Sequence, residues 1–346
     1  MKIKMKYFTA IIPIILIFFS LISCDNQNAI QKENDTMVKI GYFHGGRVNK
    51  IYQAYINGYF DREGVNVKLY TKNLKDDEMF ELNKNESNEK KDEVEEGQFG
   101  KISGVEIVDR IIDGKLDGGT IGESSFLYSI NNGLPIIAVA QLGYDSLPGK
   151  VIIIRKDVKI NSSNDLKGKT LISRRAGPGD SIYLREFLKD EGLDPDKDVT
   201  IIDGVNDDDY LNPEWLNENN IDGGLYHLLG ARKLVLANEA YVYRPMDWMN
   251  SQLSHAVLVF HEDYIRKHPE NVQLVVNAYM KKLIYEESLP EEEKDKSWNK
   301  AFMMGGEFQE MEIPKYDLPP KVRIELLQEM EDLLFEYGEI KKTVNI

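Results

Sequence analysis

Three stretches of this chain set charged side chains among glycines: His44-Gly45-Gly46-Arg47, Gly122-Glu123-Ser124-Ser125, and Arg174-Arg175-Ala176-Gly177-Pro178-Gly179-Asp180-Ser181. A guanidinium offers a planar fork of donors to an oxyanion, so Arg47 and Arg174 are candidates for holding one. Glycine lets the backbone approach a ligand closely, which brings Gly46 and its neighbour His44 into the same set. Paired glycines ahead of a helix make a concavity of N–H groups that accepts anions, the reading for Gly177, Gly179, Asp180 and Ser181. Plainer alternatives stand beside each: a solvated arginine on a tight turn, or Ser124, Ser125, Asp180 and Ser181 as helix caps. Strand alternation lets only one of Arg174 and Arg175 face a ligand easily, and Arg174 is taken here. Tyr52 can form an aromatic wall or a core contact. Gly223-Gly224-Leu225-Tyr226-His227 is another glycine-rich strand end and offers Tyr226 or His227. Arg244 can reach a ligand or pin a hinge.

Signatures of other chemistry are missing. There is no Gly-x-Ser-x-Gly elbow and no His-Glu-x-x-His helix. The loop at Gly177 lacks the Gly-Lys-Ser/Thr ending of a phosphate loop. The histidines, His44, His227, His255, His261 and His268, are dispersed, and the acidic run Asp203–Asp209 has its glycine second where a calcium loop needs it sixth. No catalytic residue, metal or cofactor is therefore assigned.

The elements that must position these residues follow from periodicity. Val38–Phe43 alternates as a strand, Asn49–Arg62 has helical spacing closed by Gly64, and Val65–Tyr70 alternates again. Strand, helix and strand in succession point to a βαβ unit in an α/β fold. Residues 75–101 interrupt with Asp, Glu, Lys and Asn and read as an exposed acidic insertion, part helix and part loop. The rhythm resumes with a helix at 104–113, a strand at 116–121, a helix at 124–132 and a buried strand at 136–141. Asp145-Ser146-Leu147-Pro148-Gly149 is turn chemistry suited to a first crossing between lobes. Strands at 151–154, 170–173 and 199–202, a helix at 181–191, and a helix near 228–238 repeat the cycle. His255–Phe260 is a strand that can carry the chain back, and helices are expected at 271–287, 298–304 and 321–337.

The lone cysteine, Cys24, follows Lys2, Lys4 and Lys6, an apolar stretch from Tyr7 to Ile22, and Leu21-Ile22-Ser23. A basic start, a short apolar segment and a small residue before the cut form a signal peptide. Leu-x-Ser-Cys resembles the lipobox of bacterial lipoproteins, in which the cysteine is acylated, as by palmitate. The expectation is an exported chain, lipid-anchored at Cys24 on the extracytoplasmic face of the cell membrane. The net charge is −15, and removing a leader with three lysines and no acids takes it to about −18. Such a field suits neither nucleic acid nor an anionic membrane surface.

Four pieces in order carry a family likeness: Gly58-Tyr59-Phe60-Asp61-Arg62-Glu63-Gly64, the glycine-flanked strand after Asp117, Asn132-Gly133-Leu134-Pro135-Ile136-Ile137-Ala138-Val139-Ala140, and Asp165-Leu166-Lys167-Gly168-Lys169-Thr170-Leu171. In these the chain resembles the solute-binding proteins of ABC importers, the group for nitrate, sulfonates, taurine and thiamine-pyrimidine precursors. The likeness runs from Val38 to about Glu287. It implies a two-lobed type II periplasmic-binding-protein fold, each lobe a mostly parallel sheet flanked by helices, with a ligand cleft between them. The divisions expected are a signal peptide at 1–24, a tether at 25–37, a first lobe of 38–147 with 255–346, and a second lobe of 148–254. The resemblance also implies that the strand end at Glu123, Ser124 and Ser125 faces the ligand. Glu123 would there accept from an amine, amidine or hydroxyl and disfavour a bare anion. Partners implied are a small polar solute, an ABC permease and its ATPase, with the binding protein a monomer. Two other readings share these residues: an enzyme of the pyrimidine-synthesis branch of the fold, and a surface lipoprotein with no transport role.

Overall fold

The structure is a computed structural model that describes residues 37–43, 46–73, 78–82, 99–100, 102–144, 149–174, 178–205, 207–290, 292–294, 315–344 and 346. The expected leader with Cys24, the tether up to residue 36, His44, Arg175, Gly177 and the helix at 298–304 lie outside the described residues.

Strand β1 (Met37–Gly41) opens the first sheet and includes the last residue of the expected tether. The helix expected at 49–62 is two, α1 (Asn49–Ile56) and α2 (Tyr59–Glu63). Gly58 between them takes φ +69°, a left-handed conformation open to glycine, and this divides a continuous apolar stripe into two segments. Next come β2 (Asn66–Asn73), β3 (Met79–Glu81) and β4 (Phe99–Gly100). The described ends of the acidic insertion are thus strands rather than helix or loop. Both pair antiparallel with β2, whose outer edge would otherwise leave its N–H and C=O groups unpaired.

Helix α3 (Gly104–Ile112) starts at a capping box in which Ser103 and Glu106 exchange bonds of 3.1 Å. Then follow β5 (Gly118–Gly122), α4 (Glu123–Asn131) and β6 (Ile136–Tyr144). The chain leaves the first sheet after β6. A second sheet is built from β7 (Lys150–Arg155), β8 (Thr170–Arg174), β9 (Thr200–Val205), β10 (Gly223–His227) and β11 (Ala240–Pro245). Helix α5 (Pro178–Asp190) follows β8, the short α6 (Asp207–Tyr210) and α7 (Pro213–Glu218) precede β10, and α8 (Leu228–Leu236) follows it. The chain returns through β12 (His255–His261) and ends in α9 (Glu262–Lys267), α10 (Pro269–Glu287) and α11 (Ile324–Glu336).

The first sheet runs β3-β2-β1-β5-β12-β6 with β4 beside β2, and the second runs β11-β7-β10-β8-β9. Each has a parallel centre, β2-β1-β5 in one and β10-β8-β9 in the other. The sheets are mixed in direction rather than mostly parallel, because the crossing chain enters them reversed. Strand β12 lies antiparallel to both β5 and β6, and β7 lies antiparallel to β10 and β11.

Glycines set the fit of the strands that lead into the gap between the sheets. A Cβ at Gly119 of β5 would lie 2.2 Å from Ile107 of α3, and one at Gly223 of β10 would lie 2.3 Å from the Ile153 carbonyl. Neither strand could pack so closely with a larger residue. Helix α11 closes the assembly from behind. Leu327, Met330 and Leu334 are fully buried and join a core that includes Ile107 and Leu127 from one side and Ile182 and Phe187 from the other. Its buried Glu331 accepts from Asn131 of α4 at 2.9 Å and from the Val344 amide at 2.8 Å. Toward the second lobe it adds polar contacts: Glu336 pairs with Lys189, and the Tyr337 hydroxyl donates to Glu186. Ahead of it, the Arg323 guanidinium donates to Gln252 on the returning crossing, and the Arg323 amide donates to Gln141 Oε1 of β6 at 3.1 Å. Among the described residues no helix is long and apolar enough to cross a membrane.

Candidate functional site

Between the two sheets lies a pocket with about 400 Å³ of empty space, its open mouth included. The first lobe supplies Phe43, Arg47, Gly104 and the start of α4 from Gly122 to Ser125. The second supplies Lys150, Arg174, Gly179, Asp180 and His227.

Arg47 sits on a single turn, Gly46–Val48, that follows β1. Gly143 of β6 makes room for that turn, since a Cβ there would meet the Arg47 carbonyl at 2.7 Å. The guanidinium donates from Nη1 to the Ser254 hydroxyl at 2.8 Å and the His255 carbonyl at 3.1 Å, and lies 3.3 Å from Glu123 Oε2. Glu123 is buried, and its other oxygen accepts from the Tyr183 hydroxyl at 3.2 Å. That bond crosses from the first lobe to α5 of the second. No side chain caps α4, whose N-cap is Gly122. Ser124 and Ser125 lie inside the first turn and not at the cap, so the N–H groups there face the pocket with the positive end of the helix.

Lys150 opens the second sheet, is 1 % exposed, and donates to the same Ser254 hydroxyl that receives Arg47. Its ammonium lies 4.3 Å from the centre of the Tyr183 ring, a cation–π arrangement. Helix α5 starts against α4: a Cβ at Gly179 would lie 2.9 Å from Ser124 Oγ. Asp180, one residue on, is buried with Oδ2 3.5 Å from Arg174 Nε and 3.7 Å from His227 Nε2.

Electrostatics follow from this packing. Burial works to raise the Asp180 pKa, but nearby His227, with the charges of Arg174 and Lys150, outweighs it and holds the carboxyl well below its usual range. Burial, then the charges of Arg174 and Lys150, push His227 down to about 4 against the pull of Asp180. At neutral pH the second wall presents an ionised carboxylate beside a neutral imidazole. Among the described residues no group of three His, Cys, Asp or Glu is placed to hold a metal ion.

Of the residues expected from sequence, the structure brings together Arg47, Glu123, Ser124, Ser125, Arg174, Gly179 and Asp180. Gly46 belongs to the Arg47 turn. Ser181 is buried beside them and receives Arg185 Nε at 3.4 Å. Three are placed elsewhere. Tyr52 stacks on Tyr42 at 5.6 Å. Tyr226 stacks on Tyr210 at 4.0 Å inside the second lobe, because strand alternation turns it away from the face that His227 presents. Arg244, on the edge strand β11, is engaged by Asp190 at 2.7 Å, Asp247 at 2.7 Å and Glu191 at 2.5 Å. Lys150, Phe43, Gly104 and Ser254 escaped sequence reasoning. The available signal was a lysine opening the otherwise apolar run Val151–Ile154 directly after the crossing turn.

Comparison with known proteins identifies the fold and the family. The fold matches the alkanesulfonate-binding protein SsuA of Xanthomonas axonopodis pv. citri bound to MOPS, with a TM-score of 0.60, 13% identity, and 89% and 95% of the two chains covered. It matches the aliphatic sulphonate-binding protein SsuA of Escherichia coli with a TM-score of 0.61 and 15% identity over 89% and 90%. The nitrate-binding protein NrtA of Synechocystis PCC 6803 follows at 0.54 and 15% over 76% and 64%. At these identities the likeness is one of fold, the periplasmic-binding-protein fold of two α/β lobes. By sequence, the chain is 24% identical over 193 residues to YtlA of Bacillus subtilis (strain 168), whose name marks it as a candidate binding protein. That match covers 55% of this chain and about half, 47%, of the relative's length. The family model described as NMT1/THI5 like matches residues 103–293, more than half of the sequence and every described strand from β5 to β12. The chain belongs to the NMT1/THI5-like family.

Proposed function

We propose that this protein is a solute-binding protein that captures a small polar organic solute between its lobes and releases it to an ABC permease. The observation that carries the reading is the pocket between the sheets, where the first turns of α4 and α5 meet and buried charged residues arrive from both sides. Such a gap is where ligands bind in open α/β sheets, beyond strand ends and at exposed helix N-termini. The moving bodies in this reading are residues 38–147 with 255–346 and residues 148–254, rotating about the two crossings. The Tyr183–Glu123 bond and the Gly179–Ser124 approach are contacts made on closure. In the same reading the protein acts as a monomer without catalysis, held by lipid on Cys24 at the extracytoplasmic face of the membrane and tethered near the permease.

A thermal-shift screen of the full chain over alkanesulfonates, taurine, nitrate, aminopyrimidines, riboflavin and purines tests the proposal. One solute class should raise the melting temperature saturably, with about 2.7 kcal/mol gained at a hundred times Kd. Turnover of a candidate compound with no stabiliser found would replace this reading with an enzymatic one. Anchoring is tested separately, by fractionating cells that express the parent and Cys24→Ser. The parent should partition with membranes and the variant should not.

A further inference from the structure

The two buried carboxylates of the pocket differ in what holds them. Glu123 has both oxygens engaged, Oε2 with Arg47 at 3.3 Å and Oε1 with Tyr183 at 3.2 Å. Asp180 is 7 % exposed, and its Oδ2 has no hydrogen-bond partner among the described residues. Arg174 Nε and His227 Nε2 stand at 3.5 and 3.7 Å, positioned around it beyond good bonding distance. His227 Nε2 has no partner either. A buried polar atom left unsatisfied is costly, and here two of them face the same small space. Both residues line the pocket.

An ionised carboxylate only accepts, so whatever fills this space must donate to it. An anionic group would meet a like charge in a poorly solvated gap. A full cation is disfavoured as well, since Arg47, Lys150 and Arg174 outnumber Glu123 and Asp180 around the pocket. An uncharged amino or hydroxyl group meets every condition. It donates to Asp180 and can take up or supply the hydrogen at His227 Nε2, according to the imidazole tautomer. We propose that Asp180 and His227 form a subsite for an uncharged N–H or O–H donor of the solute. This rests on the solute-binding reading above and narrows the ligand to one carrying such a group, as against a plain anion.

The test uses matched pairs that differ only in the donor, with the full chain at pH 7.5. Isethionate is compared with ethanesulfonate and 4-aminopyrimidine with pyrimidine, with taurine as the charged donor, by calorimetry and thermal shift. The donor member of a binding pair should bind at least tenfold more tightly, the scale of a hydrogen bond to a charged group. That preference should collapse in Asp180→Asn, an isosteric change, and shrink in His227→Gln. Equal binding of both members by the parent overturns the subsite while leaving solute binding intact. So does tighter binding of taurine than of isethionate. If no compound here or in the wider screen shifts the melting temperature, the solute-binding reading fails and the subsite fails with it.

Discussion

Glu123 and Asp180 open their respective helices, face one another's lobe and are nearly equally buried, yet one is fully bonded and the other is not. Glu123 belongs to a network that spans the molecule: Arg47 ties it to Ser254 and the returning crossing, and Tyr183 ties it to α5. Asp180 is surrounded by donors that stop short of it. The difference separates framework from function within one pocket. A carboxylate whose every oxygen is used by the chain holds the lobes together, and one with an oxygen left over is available to something that is not the chain.

Glu123→Ala should break this contrast most severely. It strands the Arg47 guanidinium in a buried site, and loss of one member of such a pair costs about 3–5 kcal/mol, readable by urea denaturation. Asp180→Asn, measured in the same way, should cost less than Glu123→Ala, since it keeps the shape of the side chain while giving up the charge that Arg174 and Lys150 stabilise. Equal losses in the two variants would mean that the two carboxylates do the same work. Tyr183→Phe removes a single hydroxyl and should cost about 0.5–1.5 kcal/mol. Gly179→Ala should leave stability nearly unchanged but force α5 away from Ser124, which small-angle scattering would record as a larger radius of gyration than the parent's. A separate effect is on pH dependence. The folded His227 resists protonation to about 4, while the unfolded residue protonates near 6.5. Its contribution is complete above about pH 6.5 and is lost as pH falls toward 4, because the unfolded chain binds the extra proton. His227→Gln should flatten the stability profile in that window.

Much of the pocket was legible because its residues sit at punctuation marks. Arg47, Glu123, Arg174, Gly179 and Asp180 lie where a strand gives way to a helix, and glycine marks such places in sequence. What periodicity could not decide was facing. Tyr226 and His227 are adjacent, and the choice between them depends on where the second sheet turns its apolar side. Arg244 carries a plausible charge at a plausible position, but the acids that neutralise it, Asp190 and Glu191, are brought in by α5 from some fifty residues away. Lys150 and Ser254 meet only because two crossings run side by side. The mixed sheets have the same origin, since strand direction depends on the route the chain takes between lobes.

Helix α11 is fastened unequally to the two lobes. Leu327, Met330 and Leu334 pack into a core shared by both lobes, but the first lobe adds the buried Glu331–Asn131 bond and the second adds the exposed Lys189–Glu336 pair and the half-buried Tyr337–Glu186 bond. Under load the weaker seam parts first, since exposed ion pairs contribute about 1 kcal/mol or less. In the hinge motion proposed above, the helix rides with the first lobe, to which its buried Glu331 is bonded. In that proposal the free energy separating shut and open forms is set partly by these residues, far from the pocket. Substitutions there can raise or lower affinity for every ligand by the same factor while leaving the choice among ligands untouched.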